Sequence, residues 1–235
     1  MLGRHALVVT FLAATMVVTT ATTADAAVSY PVAIWLMNEG QGARMMADST
    51  GHGLNGSIGR EVQTGISGGG ITAYRFARLQ PDTPPPHPAH IVTVPDSSAL
   101  DPGSRDYAVT IRIRTRYQFG NIIQKGQATV PGGNWKFQIP NGIVQCLFRG
   151  SSGTVIVTAH HAINDGGWHI VRCDRTARQV AMTIDGVGEA RRNGTTGTIA
   201  NTWPLTIGGK VNCDQVNVGC DYYAGDIDRV EIDAG

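Results

Sequence analysis

An all-β domain of two packed antiparallel sheets is the fold class this sequence predicts, and three observations carry it. Helical periodicity is absent along the chain. Short runs of alternating apolar and polar residues recur about every ten positions, each bounded by Gly, Pro, Asn or Asp. The 30 glycines supply the turns that such a chain needs. About 200 residues remain once an N-terminal leader is set aside, a normal length for one β-sandwich. A chain of that size can bury around 70% of its unfolded surface. No internal repeat or second domain is visible, so a single domain is expected over residues 27–235.

The leader comes first. Arg4 and His5 precede an apolar run from Ala6 to Val18, and Ala24, Asp25 and Ala26 follow. This is the pattern of a secretory signal peptide over residues 1–26, with cleavage after Ala26. The apolar run is shorter than the roughly 20 residues that a membrane span needs. The mature chain, Ala27 to Gly235, is therefore expected to be secreted and extracellular, with no membrane insertion. With 19 basic and 18 acidic residues the net charge is +1. No global field directs the chain to nucleic acid.

The strands then follow in order. Residues 32–37 (VAIWLM) and 71–80 (ITAYRFARLQ) open the series, the latter alternating Tyr74 and Phe76 with Arg75. Residues 80–90 (QPDTPPPHPAH) hold five prolines, which cannot sit in a central strand and read as a stiff surface loop. Strands are next expected at 89–95, 107–115, 121–126, 135–139, 143–149, 154–159, 168–174, 179–186, 204–209 and 225–232. Asp185-Gly186 suits a type I′ hairpin, and Trp168 is expected in the core. His160 and His161 adjoin on an alternating run, so one is expected to point inward or into a loop. Neither has a second histidine at metal-ligand spacing, and there is no serine elbow of the nucleophile type.

All four cysteines lie in the exported part, where disulfides persist. Sequence order suggests Cys146 with Cys173, across a turn between strand-like runs, and Cys213 with Cys220, closing a tight loop. Zinc would prefer closer cysteine pairs than these.

The stretch GDIDRVEI, residues 225–232, sets Asp226, Asp228 and Glu231 within six positions. A retaining glycosidase needs two carboxyl groups roughly 5 Å apart, and alternate strand residues lie about 6.6 Å apart on one face. Asp226 and Asp228 meet that spacing. Glu231 falls on the opposite face of a regular strand, and one bulged residue would bring it round.

Four segments in order, residues 32–56, 106–115, 165–186 and 205–232, resemble the laminin-G-like jelly rolls of the concanavalin-A-like lectin and glucanase superfamily. The resemblance covers nearly all of the mature chain. It rests on the opening strand ending in Asn38-Glu39, on Asp48-Ser49-Thr50-Gly51, on the Trp168-His169 strand, on the Asp185-Gly186 hairpin and on the Gly-x-Ile-Asp of the last strand. It implies a two-sheet antiparallel jelly-roll sandwich. It also changes the meaning of GDIDRVEI, because in secreted glucanases of this superfamily the comparable catalytic motif lies mid-chain and carries two glutamates. In laminin-G-like domains the matching strand is a structural signature.

In related glucanases an aspartate resembling Asp228 binds a structural calcium. Glycine-rich turns beside an aspartate can also supply the oxygens that calcium wants. Asp48 and Asp228 are thus the expected ligands of a structural calcium. Their alternatives are turn capping by Asp48 and an ion pair of Asp228 with Arg229 or Arg60.

If Val109, Ile111 and Ile113 face the core, then Arg112, Arg114 and Arg116 form a basic stripe on the other face. By the same alternation Trp135, Phe137 and Ile139 are buried, Lys136 and Gln138 point outward, and Arg149 closes another strand. Arg112, Arg114, Lys136, Gln138 and Arg149 are the expected ligand-binding residues, for acidic sugars or carboxylates that arginine holds bidentately. The alternative is a solvated face whose arginines pair with neighbouring acids. The motifs at Asn55 and Asn193 match glycosylation acceptors and are equally Asn-Gly turns.

The expected function is a secreted, non-catalytic binding module for carbohydrate or a cell-surface polymer, with carbohydrate or an acidic polymer as its partner. A polysaccharide hydrolase or lyase on the same fold is the second reading, and a structural surface protein the third.

Overall fold

The computed structural model describes residues 30–80, 85–213 and 221–235. The expected signal peptide and Cys220 lie outside them. Among the described residues sixteen strands form. The first half holds β1 (Tyr30–Trp35), β2 (Met45–Met46), β3 (Gly56–Ile58), β4 (Gln63–Gly68), β5 (Ile71–Phe76), β6 (Val92–Val94), β7 (Tyr107–Arg114) and β8 (Asn121–Lys125). The second half holds β9 (Asn134–Gln138), β10 (Ile143–Gly150), β11 (Gly153–Ala162), β12 (Trp168–Arg175), β13 (Gln179–Ile184), β14 (Val187–Asn193), β15 (Leu205–Ile207) and β16 (Gly225–Ala234).

They make a jelly-roll sandwich of two eight-stranded antiparallel sheets. One runs β14-β13-β12-β7-β16-β5-β4, with β1 added beside β16. We term this the β16 sheet. The other, the β8 sheet, runs β11-β10-β9-β8-β15-β6-β3-β2. In the β16 sheet, β16 pairs with β7 along most of its length. Its start also pairs with β5, and its second half with β1.

Side-chain alternation explains the layers. Val109, Ile111 and Ile113 of β7 and Trp135 and Phe137 of β9 are fully buried between the sheets, as is Ile139 just after β9. Each such side chain contributes on the order of 1.5–3 kcal/mol by leaving water. Trp135 tilts against Tyr107 and stacks near Phe148, which ties the sheets together through their aromatic side chains. Asp185 adopts a left-handed φ of 52° before Gly186 at 78°, as a type I′ hairpin requires.

Cys146 bonds to Cys173. Cys146 lies on β10 and Cys173 on β12, so this bond crosses the core from one sheet to the other, whereas the sequence suggested neighbours across a turn. Cys213 is also disulfide-bonded, and its expected partner Cys220 is outside the described residues.

Two expectations about single residues are corrected. His160 and His161 are both exposed, because the register of β10 with β11 shifts between Ile143 and Gln145 and breaks the alternation there. Trp168 is only half-buried and lies on the outer face of the β16 sheet, with the guanidiniums of Arg112 and Arg114 at 5.2 and 4.8 Å from its ring. The strand it opens is read one residue out of phase at this end, since the inward series runs through Val171 and Cys173.

Candidate functional site

The carboxylates of β16 are displayed by a bulge. Asp228 and Arg229 together face Arg112 of β7, so Ile227 and Val230 both point into the core. Asp226, Asp228 and Glu231 consequently share the outer face, which is the arrangement that one bulged residue was expected to allow.

None of the three is left unpartnered there. Asp226, almost fully buried, accepts from Nε and Nη2 of Arg75 at 2.7 and 3.1 Å. It also accepts from Nε and Nη2 of Arg114 at 3.1 and 2.5 Å. Asp228 pairs with Arg112 at 2.8 Å, in place of the expected Arg229 or Arg60. Glu231 pairs with Arg229 at 2.6 Å, and Asp233 with Arg172 at 2.9 Å. Burial pushes the Asp226 carboxyl up, but the hydrogen bonds and charges of Arg75 and Arg114 outweigh it and hold the group below the usual carboxylate range. For Asp228 burial outweighs Arg112, and its carboxyl is raised. Asp226 thus accepts four hydrogen bonds from two guanidiniums, one at Oδ1 and three at Oδ2.

The five expected ligand residues do not form one site. Arg112 and Arg114 lie on the outer face of the β16 sheet, where the ion pairs neutralise them. Lys136 and Gln138 of β9 and Arg149 of β10 belong to the β8 sheet, on the opposite side of the sandwich. There Gln138 donates to Gln145, and Arg149 donates to Asn134 and to the Gln127 carbonyl.

Asp48 accepts from the backbone N–H groups of Ile34, Thr50 and Leu54 and from the Thr50 hydroxyl. Burial raises its carboxyl, yet these bonds hold it below the usual range. This is the turn-capping geometry that the sequence offered as the alternative for Asp48. Among the described residues no group of three or more His, Cys, Asp or Glu is arranged to hold a metal ion.

What the sequence did not single out is a cleft where β7 runs out of the β16 sheet. Two adjoining cavities of about 480 and 370 Å³ share Arg78, Arg116 and Tyr117 in their linings. Arg75, Arg114, Gly166 and Asp226 complete the larger, and Gln118, Asn164 and Tyr222 belong to the smaller. Tyr117 is 40% exposed, with the Arg78 guanidinium 5.3 Å from its ring centre. The buried Thr115 fixes this corner. Its hydroxyl donates to the Ala224 carbonyl at 2.6 Å and accepts from the Tyr117 N–H at 2.9 Å. Arg116 stood in the expected basic stripe, but Arg78 and Asn164 reach the cleft from loops that only the fold brings together.

The laminin G domain family matches residues 113–234. No curated protein sequence matches. Among solved structures, domain 4 of AbnA, a GH43 extracellular arabinanase from Geobacillus stearothermophilus, in complex with arabinotriose, is similar with a TM-score of 0.60. It has 17% identity, and the match covers 88% of this chain and 93% of that one. Domains LG4-5 of the mouse laminin alpha1 chain give a TM-score of 0.55 and 18% identity, over 72% of this chain and 45% of that one. The binding domain of Botulinum Neurotoxin DC in complex with SialylT gives 0.56 and 11%, over 87% of this chain and 46% of that one. The chain thus spans less than half the length of the laminin and toxin chains it matches. At these identities the likeness is one of fold.

Proposed function

The chain belongs to the laminin G domain family, and from that premise we propose that it is a secreted, non-catalytic module binding a carbohydrate-type polymer. The observation that carries this reading is the state of the β16 carboxylates: of the two at glycosidase spacing, Asp226 is held by four hydrogen bonds from two arginines and Asp228 is paired with Arg112. A hydrolase needs an acid and a base free to meet substrate. A binding module needs an open, rigid, polar surface, and the cleft at the end of β7 provides one. The arabinotriose and SialylT complexes of similar folds support a sugar-type ligand. Export fits the disulfide chemistry, since such bonds persist outside the cytoplasm. No helix among the described residues is long and apolar enough to cross a membrane.

The test is a polysaccharide panel presented to the purified protein, read for both retention and newly released reducing ends. Retention without cleavage is expected; cleavage that disappears in an Asp226→Asn, Glu231→Gln variant would establish the hydrolytic reading instead. The same panel run in calcium and in EDTA addresses Asp48 and Asp228. If calcium is bound there, its removal lowers the unfolding midpoint by mass action.

A further inference from the structure

The electrostatics of the cleft differ from those of the sheet face beside it. On the face, ion pairs join Arg75, Arg112, Arg114, Arg172 and Arg229 to five carboxylates, and charge is balanced. In the larger cavity Arg75, Arg114 and Arg116 line the same space as one carboxylate, Asp226. Asp226 is saturated by Arg75 and Arg114. Arg116 is exposed, makes no ion pair among the described residues, and donates only to the Asp165 carbonyl at 3.4 Å.

The Arg116 guanidinium lies over the 165–167 loop. Gly166 has a left-handed φ of 86°, and a Cβ on it would come 2.6 Å from Arg116 Cζ. Only glycine lets the guanidinium lie over this loop. Tyr117, next in sequence, offers an exposed ring, and its backbone N–H is held by the Thr115 hydroxyl. Gln118 and Asn164 add amide donors and acceptors in the adjoining cavity. An exposed aromatic ring suits the apolar face of a sugar, and a guanidinium without a counter-charge suits a carboxylate. Both cavities have the size of small-ligand sites.

We propose that this cleft binds a uronic-acid unit of a polysaccharide, with the sugar ring on Tyr117 and its carboxylate on Arg116. The assignment rests on the reading of the chain as a carbohydrate-type binding module and gives it a place and a ligand class.

Calorimetric titration of the full chain with oligomers of galacturonate and of mannuronate, each beside its carboxyl-reduced counterpart, tests it. At least one acidic oligomer is expected to bind about 10-fold or more tightly than its neutral counterpart. Arg116→Gln should remove that preference. Gly166→Ala should do the same by displacing the guanidinium, although residue 166 offers the sugar no side chain. Tyr117→Ala should weaken acidic and neutral oligomers alike, by about 5-fold. Arg191→Gln with Arg192→Gln, on β14 at the edge of the sheet, should change nothing. Unfolding midpoints show that each variant is folded. Equal affinity for acidic and reduced oligomers, or a preference that survives Arg116→Gln, overturns the uronate assignment. Panel polysaccharides that still bind when Arg116 and Tyr117 are both replaced overturn the cleft while the module reading stands. A native protein that binds no polysaccharide at all overturns the module reading itself.

Discussion

Asp226 stands at nucleophile spacing in the sequence and between two guanidiniums in the fold. Its two arginine partners come from β5 and β7, 151 and 112 residues away, and no local pattern announces them. Replacing it by asparagine leaves Arg75 and Arg114 crowded without their counter-charge. Asp226→Asn should therefore cost about 2 kcal/mol in a urea unfolding series, less than a fully buried pair because the arginines are partly exposed. His169 is a second case. Its Nδ1 lies 2.8 Å from Asp185 and its Nε2 3.1 Å from Asp165, so both ring nitrogens can donate only when the imidazole is protonated. Burial alone would lower its pKa, but hydrogen bonds to Asp185 and Asp165 outweigh that and raise it. With the folded pKa above the unfolded one, the stabilisation is complete below about pH 6.5 and is lost as pH rises through the folded value. Native protein should thus lose melting temperature relative to His169→Gln as pH climbs above about 6.5. Parallel profiles for the two would mean that the clasp contributes nothing. His90, buried with its pKa lowered, titrates in both proteins and cancels in the difference.

At the level of strands, alternation alone located most of the sandwich. Residues 107–115 and 135–139 could be read with the correct inward faces because each side of a sheet meets a different medium. What escaped was short or polar. β2 has two residues and β3 three, β4 carries glycines at 65 and 68, and β14 (VGEARRN) is a charged edge strand whose pattern serves solubility as much as burial. The bulge in β16 was legible only as a condition, since two outward residues in succession look the same as a turn until a partner strand fixes the register. The cleft was illegible for another reason: its residues come from the ends of β5, β7 and β11, and their meeting is a property of topology. The pairing of Cys146 with Cys173 was legible, but its role was not. It joins strands of opposite sheets 27 residues apart, and a loop of that length corresponds to about 3–4 kcal/mol of unfolded-state entropy. Cys146→Ala with Cys173→Ala should lower stability by about that amount. A loss below about 1 kcal/mol would mean that packing between the sheets suffices without the bond.

The whole molecule depends on β16. It pairs with β7, β5 and β1 at once, so its removal would leave β1 with no partner in its sheet and separate β4-β5 from β7 and the strands beyond it. A chain ending at Ala224 should show no cooperative unfolding transition, whereas a chain lacking only Gly235 should melt like the native protein. The pairing of the first described strand with the last also makes the contacts highly non-local. Folding in milliseconds to seconds is expected by stopped-flow fluorescence of the buried tryptophans.

That central position sets a schedule during synthesis. A ribosome makes β1, β5 and β7 well before β16, and until the final segment emerges all three present bare backbone edges to whatever else is nearby. The nascent chain therefore cannot complete its β16 sheet strand by strand as it appears. It must wait, held apart from its neighbours, and close that layer in one late step.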